Sequence, residues 1–122
     1  MSSRNVVDSS GWIEFLNGSE RSHLFLDAIT NTADIIVPVI SIYEVVKRIR
    51  RDGDEKDAIK AVNAMTLGFV AELNLMISLA ATQYKLPLAD SIIYATARRF
   101  DATLWTQDED FEGLPGVKYF PK

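Results

Sequence analysis

Two residue types are scarce in this sequence: its 122 residues include no cysteine and a single histidine, His23. The absence of cysteine excludes disulfide bonds, a thiolate nucleophile and cysteine-ligated zinc. One histidine excludes a histidine-rich metal site and any mechanism that needs two imidazoles. A metal site in this chain must therefore be built from other ligands.

Long apolar runs are also missing. Residues 1–5 lack the apolar stretch of a signal peptide, and the run at 35–40 is far shorter than the roughly 20 residues that a membrane-spanning helix requires. The hydrophobic content of 48% is typical of a globular chain. We therefore expect a cytoplasmic protein without membrane contact, with residues 1–122 forming one domain.

The formal net charge of −4 is not typical of a protein that binds nucleic acid. Acidic residues that hold divalent cations would change this balance, because bound ions are often the largest local charges in a site. The acidic character therefore excludes a simple basic nucleic-acid binder, but it is compatible with a metal-dependent one.

The elements alternate quickly between strand and helix. Turn residues at 9–11 precede the first helix, and Ser41 with Glu44 matches a capping box that would begin the third. The predicted strands cover residues 4–7, 35–37, 69–71, 102–105 and 117–119. The predicted helices cover 12–16, 19–31, 41–51, 55–65, 75–84 and 89–100, with a single turn at 110–111. Such alternation predicts a three-layer α/β/α sandwich with a short, mainly parallel central sheet.

Four acidic residues lie where such a fold places its ligands, beyond the carboxyl ends of the strands. Asp8 ends the first predicted strand and Asp108 follows the fourth, whereas Glu44 and Asp90 lie in the first turns of two helices. If the first and fourth strands are neighbours, these four acids meet at one edge. Three further polar residues flank that edge: Ser10, Thr106 and Asp110.

Each acid also has a purely structural explanation. Asp8 could cap a helix, Glu44 could complete the capping box, and Asp90 could interact with a helix dipole. Several carboxylates at one edge would nevertheless repel one another and raise each other's pKa. A divalent cation resolves that repulsion, because hard cations such as Mg²⁺ take oxygen ligands.

The ordered motifs of this chain resemble those of the PIN-domain nucleases, and in particular the VapC-type toxins of toxin–antitoxin pairs. Each motif alone is weak, but together they run from one end of the chain to the other in family order. The residues that carry the resemblance are Val6-Val7-Asp8-Ser9-Ser10, Ser41-Ile42-Tyr43-Glu44-Val45, Leu88-Ala89-Asp90-Ser91-Ile92-Ile93-Tyr94-Ala95-Thr96-Ala97 and Leu104-Trp105-Thr106-Gln107-Asp108-Glu109-Asp110-Phe111.

The resemblance implies a Mg²⁺- or Mn²⁺-dependent endoribonuclease with a parallel sheet. It implies that Asp8, Glu44, Asp90 and Asp108 are catalytic metal ligands or hold metal-bound water, with Asp110 as a fifth acid. It also implies that the hydroxyls of Thr106 and Ser10 lie near the metal. The partners that it implies are an RNA substrate, a cognate antitoxin and a second copy of the chain.

Residues that would contact RNA are less well defined in the sequence. Two basic runs, residues 47–51 and 98–99, could bind phosphate or could simply favour the helix dipole at a helix end. His23 is expected on a surface helix, and Trp12 and Trp105 are expected in the core.

Three alternative functions remain at this stage. A phosphorelay receiver domain shares the length and fold class, although it usually has paired acids after the first strand, where this chain has Asp8-Ser9-Ser10. A non-catalytic binding module of the same fold and a free-standing RNA-processing nuclease are the other two.

Overall fold

The computed structural model describes residues 3–122, so the first two residues of the N-terminal stretch discussed above lie outside the described part. The helices within it are α1 (Ser9–Asn17), α2 (His23–Thr30), α3 (Val39–Asp52), α4 (Glu55–Met65), α5 (Leu75–Ala81) and α6 (Leu88–Arg99). The strands are β1 (Asn5–Val7), β2 (Ile36–Pro38), β3 (Phe69–Ala71), β4 (Thr103–Thr106) and β5 (Val117–Tyr119). A 3-10 helix covers Glu109–Phe111.

All strand pairs in the sheet are parallel, and β1 lies at its centre. One side of β1 pairs with β4, which pairs in turn with β5, while β2 and β3 form a separate parallel pair. A single bridge between Asn5 and Ile35 joins β1 to the second pair. The strand order is therefore β3-β2-β1-β4-β5, and the hydrogen-bonded ladder is interrupted between β2 and β1. The chain leaves β1 and β2 at the same edge of the sheet, where ligands bind in open α/β folds.

Helices cover both faces of the sheet. Val7 and Val37 pack against α1 to α4 on one face, whereas Val6 and Ile36 pack against α6 on the other. Because both faces of the sheet are buried at β2, that strand is a continuous apolar run rather than an alternating one. The predicted three-layer α/β/α sandwich with a short parallel sheet is confirmed.

A close approach between α1 and its neighbours requires glycine at position 11. A Cβ placed on Gly11 would lie 2.6 Å from Cγ1 of Val7 and 2.8 Å from Cε1 of Phe25. Real Cβ atoms almost never lie so near other heavy atoms, because dense packing leaves no room for one. Gly11 therefore allows α1 to pack directly against β1 and α2.

Three predicted helix starts are wrong. The helix predicted from residue 19 begins at His23, because residues 20–22 form a turn. Residues 9–11 are not a turn, because α1 already begins at Ser9 with Asp8 as its N-cap. The capping box is also absent: α3 begins at Val39 after Pro38, and the buried Ser41 hydroxyl has no hydrogen-bond partner among the described residues. Proline is tolerated at a helix start because the N–H that it lacks has no partner there.

The observed start of α3 changes the interpretation of Glu44. With α3 beginning at Val39, Glu44 lies in the second turn of the helix rather than in the first. It therefore has no role in capping, and its side chain is available for another purpose. No helix within residues 3–122 is both long enough and apolar enough to span a bilayer.

Candidate metal centre

Asp8 is the most deeply buried acid at the carboxyl edge of the sheet, with 3% of its surface exposed. Its Oδ1 accepts a hydrogen bond from the backbone N–H of Gly11 at 2.9 Å, which caps α1. Its Oδ2 accepts one from Oγ1 of Thr106 at 2.6 Å, and the hydroxyl of Ser10 lies 3.0 Å from both oxygens. Burial nevertheless raises the pKa of Asp8 from 3.8 to about 6, because desolvation outweighs these three donors.

A hydrogen-bond chain links Asp8 to the acids that follow β4. Oγ1 of Thr106, which donates to Asp8, accepts the backbone N–H of Asp108 at 2.9 Å. Oδ1 of Asp108 accepts the backbone N–H of Asp110 at 2.9 Å, which caps the 3-10 helix. The parallel pairing of β1 with β4 makes this chain possible, since it places Val7 beside Trp105 immediately before the two site segments.

Glu44 is held at the site by Ser9, which is not among the site residues predicted from the sequence. The hydroxyl of Ser9 donates a hydrogen bond to Oε1 of Glu44 at 2.6 Å. Ser9 lies in the first turn of α1 and Glu44 in α3, so the bond depends on the packing of the two helices. The available sequence signal was only the position of Ser9 next to Asp8.

Asp90 has the largest pKa shift among the acids of the site. Burial raises its pKa from 3.8 to about 7, and the charges of Asp108, Glu44, Asp8 and Asp110 raise it in the same direction. The side chain is half-buried. It lies in the first turn of α6, the position predicted from the sequence. All four neighbouring acids therefore destabilise the ionised form of Asp90 in the absence of a cation.

Three of these acids could hold a metal ion together. One carboxylate oxygen each from Asp90, Asp108 and Asp110 lies within 4.8 Å of the other two. Oxygen-only ligands in this number fit a hard divalent cation such as Mg²⁺ or Mn²⁺, which completes its coordination with water and substrate phosphate. Burial and the neighbouring charges both disfavour the ionised form of Asp90, and a bound cation would offset both effects.

The acids open into a cleft of about 630 Å³. Asp8, Glu44, Asp90 and Asp108 all line it, so the structure brings the four predicted catalytic residues to one cavity. Asp110 lies close to them, with a carboxylate oxygen within 4.8 Å of one on Asp90 and one on Asp108. The cleft also has cationic residues on its wall, namely Lys47, Arg48, Arg51 and Lys122.

Other residues selected from the sequence lie elsewhere. His23 is an exposed residue of α2 whose ring Nδ1 lies 2.7 Å from the carbonyl of Glu20, and it does not line the cleft. Trp12 is buried in the core as expected. Trp105 is half-buried, and its indole N–H donates to Oδ1 of Asn5 at 2.8 Å. Of the second basic run, Arg98 donates to the carbonyl of Pro115 on the far side of α6.

A second positioning contact was also missed. Nε of Arg21 donates to Oε1 of the buried Gln107 at 2.6 Å, and Nη2 of Arg21 donates to the carbonyl of Phe120 at 3.0 Å. The guanidinium thereby ties the segment just before Asp108 to the C-terminal residues. No local pattern in the sequence indicates a bond between residues 86 positions apart.

The model of the PIN domain family matches residues 6–117 of this chain. The chain belongs to the PIN-domain family. This assignment removes the receiver-domain alternative, and it agrees with a parallel sheet that carries acids at its carboxyl edge. No curated protein matches the chain.

Solved structures share the fold of this PIN domain over nearly their whole length. A toxin–antitoxin complex from Klebsiella pneumoniae is 24% identical with a TM-score of 0.79, and the match covers 93% of this chain and 95% of that one. VapC20 of Mycobacterium tuberculosis, described as a toxin that cleaves the sarcin–ricin loop, is 16% identical with a TM-score of 0.76, covering 96% and 99%. DNA-bound VapBC from Salmonella typhimurium is 14% identical with a TM-score of 0.75, covering 98% of each chain.

Proposed function

We propose that this PIN domain is a metal-dependent endoribonuclease and the toxin of a toxin–antitoxin pair. The observation that carries the proposal is the convergence of Asp8, Glu44, Asp90, Asp108 and Asp110 on one open cleft. A fold gains no stability from carboxylates that raise each other's pKa, so the arrangement needs a functional explanation. Cation-assisted phosphodiester hydrolysis needs such a set of acids and no side-chain nucleophile.

The acids have different parts in this proposal. Asp90, Asp108 and Asp110 would hold Mg²⁺ or Mn²⁺, and Asp8 and Glu44, which line the same cleft, would complete the set of acids. Bound metal supplies activation of the attacking water and neutralises charge on the departing 3′ oxygen. Thr106 and Ser10 hold the carboxylate of Asp8 in place, and Ser9 does the same for Glu44. The products would carry 5′-phosphate and 3′-hydroxyl ends.

The partners are proposed from the similar structures and from one apolar surface. Complexes of toxin and antitoxin among the similar folds support a cognate antitoxin for this chain. The helix α5 leaves Leu75, Met76 and Leu79 exposed at 71%, 61% and 56%, which supports a homodimer that covers them. We further propose that residues 1–122 act as one domain in the cytoplasm, where cellular RNA is available.

The test is cleavage of end-labelled RNA by the wild type and by an Asp90→Asn variant, each in Mn²⁺ and in EDTA. The matched control is Asp27→Asn, which removes an exposed carboxylate on α2. We expect cutting by the wild type and the control in Mn²⁺ alone. Cutting that persists in EDTA, or in Asp90→Asn, would reject the proposed site.

Two outcomes would point to the remaining alternatives. Metal binding by the wild type without cleavage of any RNA would favour a non-catalytic binding module. Cleavage by a chain whose expression does not slow the growth of its host would favour a free-standing RNA-processing nuclease.

A further inference from the structure

The ring of Tyr43 is a part of the cleft wall that the proposed chemistry does not use. Tyr43 lies on α3 immediately before Glu44, lines the cleft, and has 57% of its surface exposed. Phe69 is equally exposed, but its ring packs edge-on against Phe100 with centroids 5.8 Å apart. Within residues 3–122, the ring of Tyr43 packs against no other aromatic ring. It is therefore an open aromatic surface at the mouth of the acidic cleft.

Lys47 lies one turn further along α3, and its side chain is next to this ring. Its Nζ lies 3.2 Å from the hydroxyl oxygen of Tyr43 and 5.4 Å from the centre of the ring. The three arginines of α3 each pair with a carboxylate: Arg48 and Arg51 with Asp52, and Arg50 with Glu55. In the described part of the chain, by contrast, no carboxylate oxygen lies within 4.0 Å of the Lys47 ammonium.

The difference between Lys47 and the arginines matters for a polyanionic ligand. The charge of a paired cation is partly compensated by its carboxylate, whereas an unpaired cation at the surface loses only solvent and counterions when it binds phosphate. The acids of the cleft repel phosphate, so an uncompensated positive charge at the edge is needed to bring a nucleic acid strand close. Lys47 provides that charge beside Glu44.

We propose that Tyr43 and Lys47 bind a single-stranded segment of RNA next to the bond that is cut. In this arrangement a base stacks on the ring of Tyr43 and a neighbouring phosphate contacts the ammonium of Lys47. Unpaired bases in single strands are commonly bound by stacking on aromatic side chains, with basic residues along the backbone. Because Tyr43 and Glu44 line the same cleft, a strand whose phosphate reaches the acids would have the ring within its path. The inference rests on the proposed nuclease function and assigns two residues of the cleft wall to contact with the substrate strand.

The experiment measures binding separately from cutting. The probe is a fluorescein-labelled, unstructured RNA oligomer of adenine and uracil, and fluorescence anisotropy is recorded with Mg²⁺ in an Asp90→Asn background that does not cut. The variants are Tyr43→Leu, Tyr43→Phe and Lys47→Gln. Matched controls are Phe69→Leu, which alters an equally exposed ring outside the cleft, and Lys56→Gln, which removes an exposed lysine of α4.

We expect Tyr43→Leu to weaken binding about tenfold, because stacking on an aromatic ring contributes strongly to single-strand affinity. Tyr43→Phe keeps the ring and should stay within about twofold of the parent. Lys47→Gln should make the negative slope of log affinity against log salt shallower by about 0.7, the value for one phosphate contact on a single strand. Both controls should match the parent. A duplex of the same sequence should be insensitive to Tyr43→Leu, since its bases are already stacked.

Several results would overturn the inference. One is equal affinity of Tyr43→Leu and the parent for the single strand. If the same variant bound the antitoxin more weakly, the two residues would belong to a protein-binding surface instead. Others are the same loss for duplex and single strand, a Tyr43→Phe variant as weak as Tyr43→Leu, or an unchanged salt slope in Lys47→Gln. Failure of the parent to bind the oligomer would also overturn it.

The failure of this inference can be told from failure of the nuclease proposal. A wild type that cuts RNA in Mn²⁺ while Tyr43→Leu binds normally would remove only the stacking surface. Binding that depends on Tyr43 and Lys47, in a protein that never cuts, would remove only the catalytic proposal. Melting temperatures of all variants, measured alongside, exclude misfolding as the cause of weaker binding.

Discussion

Replacing Asp90 with asparagine should stabilise the metal-free protein above about pH 7, although it removes an acid of the proposed site. The pKa of Asp90 is raised from 3.8 to about 7 in the folded state. Such a group stabilises the fold fully below its unfolded pKa, and this contribution is lost as the pH rises through the folded pKa. A displacement of this size corresponds to about 4 kcal/mol for a fully buried group. Solvent screening at this half-buried carboxyl reduces the expectation to about 2 kcal/mol.

Urea unfolding in EDTA, repeated between about pH 4 and about pH 8, measures the effect as the difference in unfolding free energy between the variant and the wild type. The difference should be small near about pH 4, where Asp90 is largely protonated in the folded chain and about half protonated in the unfolded one, and should grow to about 2 kcal/mol as the pH rises through about 7. Asp27→Asn, on the exposed side of α2, should show no comparable growth. The pKa of Asp8 is also raised, to about 6, and because burial is the largest cause, most of its pH dependence is common to both proteins.

Two results would refute this reasoning. An Asp90→Asn variant that is no more stable than the wild type in EDTA at about pH 8 would show that the acids do not repel one another as described. A stabilisation that is independent of pH would show that it does not arise from the charge. Excess Mn²⁺ should reverse the order, since about a hundredfold excess over Kd adds about 2.7 kcal/mol to a protein that binds it.

Three further substitutions test how the acids are held. Thr106→Val should destabilise the protein by about 2 kcal/mol in urea unfolding. It leaves the buried Asp8 without one hydrogen-bond donor and the N–H of Asp108 without its acceptor. Thr106→Ser keeps the hydroxyl and should recover most of the lost stability. Ser9→Ala should weaken Mn²⁺ binding in calorimetry but cost less than about 1 kcal/mol of stability, since its hydroxyl bonds a partly buried carboxylate. Gly11→Ala should cost about 1–3 kcal/mol through overpacking, read from the urea midpoint.

Each of these expectations has a contrary result. A valine at position 106 with wild-type stability would mean that the hydroxyl chain does not support the site. Unchanged Mn²⁺ affinity in Ser9→Ala would leave Ser9 with a structural role only. A neutral Gly11→Ala would mean that α1 shifts outward at little cost, and the contact with β1 would then not determine its position.

The arrangement of strands and helices could be predicted from the sequence because parallel strands that are covered on both faces are short apolar runs. Residues 35–37 are such a run, and the strands predicted at 35–37 and 102–105 each lie within one residue of the observed strand. The helix starts were harder to predict. A serine–serine–glycine sequence is typical of a turn, yet in the structure the side chain of Asp8 caps a helix through those residues.

The site could be predicted only in part. Strand ends and helix starts indicated which acids converge, because that rule depends on topology rather than on detailed packing. The bond between Ser9 and Glu44 joins residues 35 positions apart, and the bond between Arg21 and Gln107 joins residues 86 apart. Contacts of this kind depend on how helices and loops pack in three dimensions, and no periodicity or spacing records them.

The ion pairs between the basic residues of α3 and nearby carboxylates could not be predicted from the sequence for the same reason. In the sequence, residues 47–51 form one cationic run with no feature that separates Lys47 from the three arginines. Only the folded geometry shows which carboxylate each arginine reaches around the end of the helix.

The hydrogen bonds that hold the carboxylates also limit how many of their oxygens a cation can take. Both oxygens of Asp8 already accept bonds from within the chain, and Oδ1 of Asp108 accepts the N–H of Asp110. Calcium prefers six to eight oxygens and often takes a carboxylate through both of them, whereas Mg²⁺ binds octahedrally through single oxygens and keeps several waters. Internal bonding of this kind favours single-oxygen coordination, so the protein should discriminate against calcium through the number of free oxygens rather than through the size of its cleft.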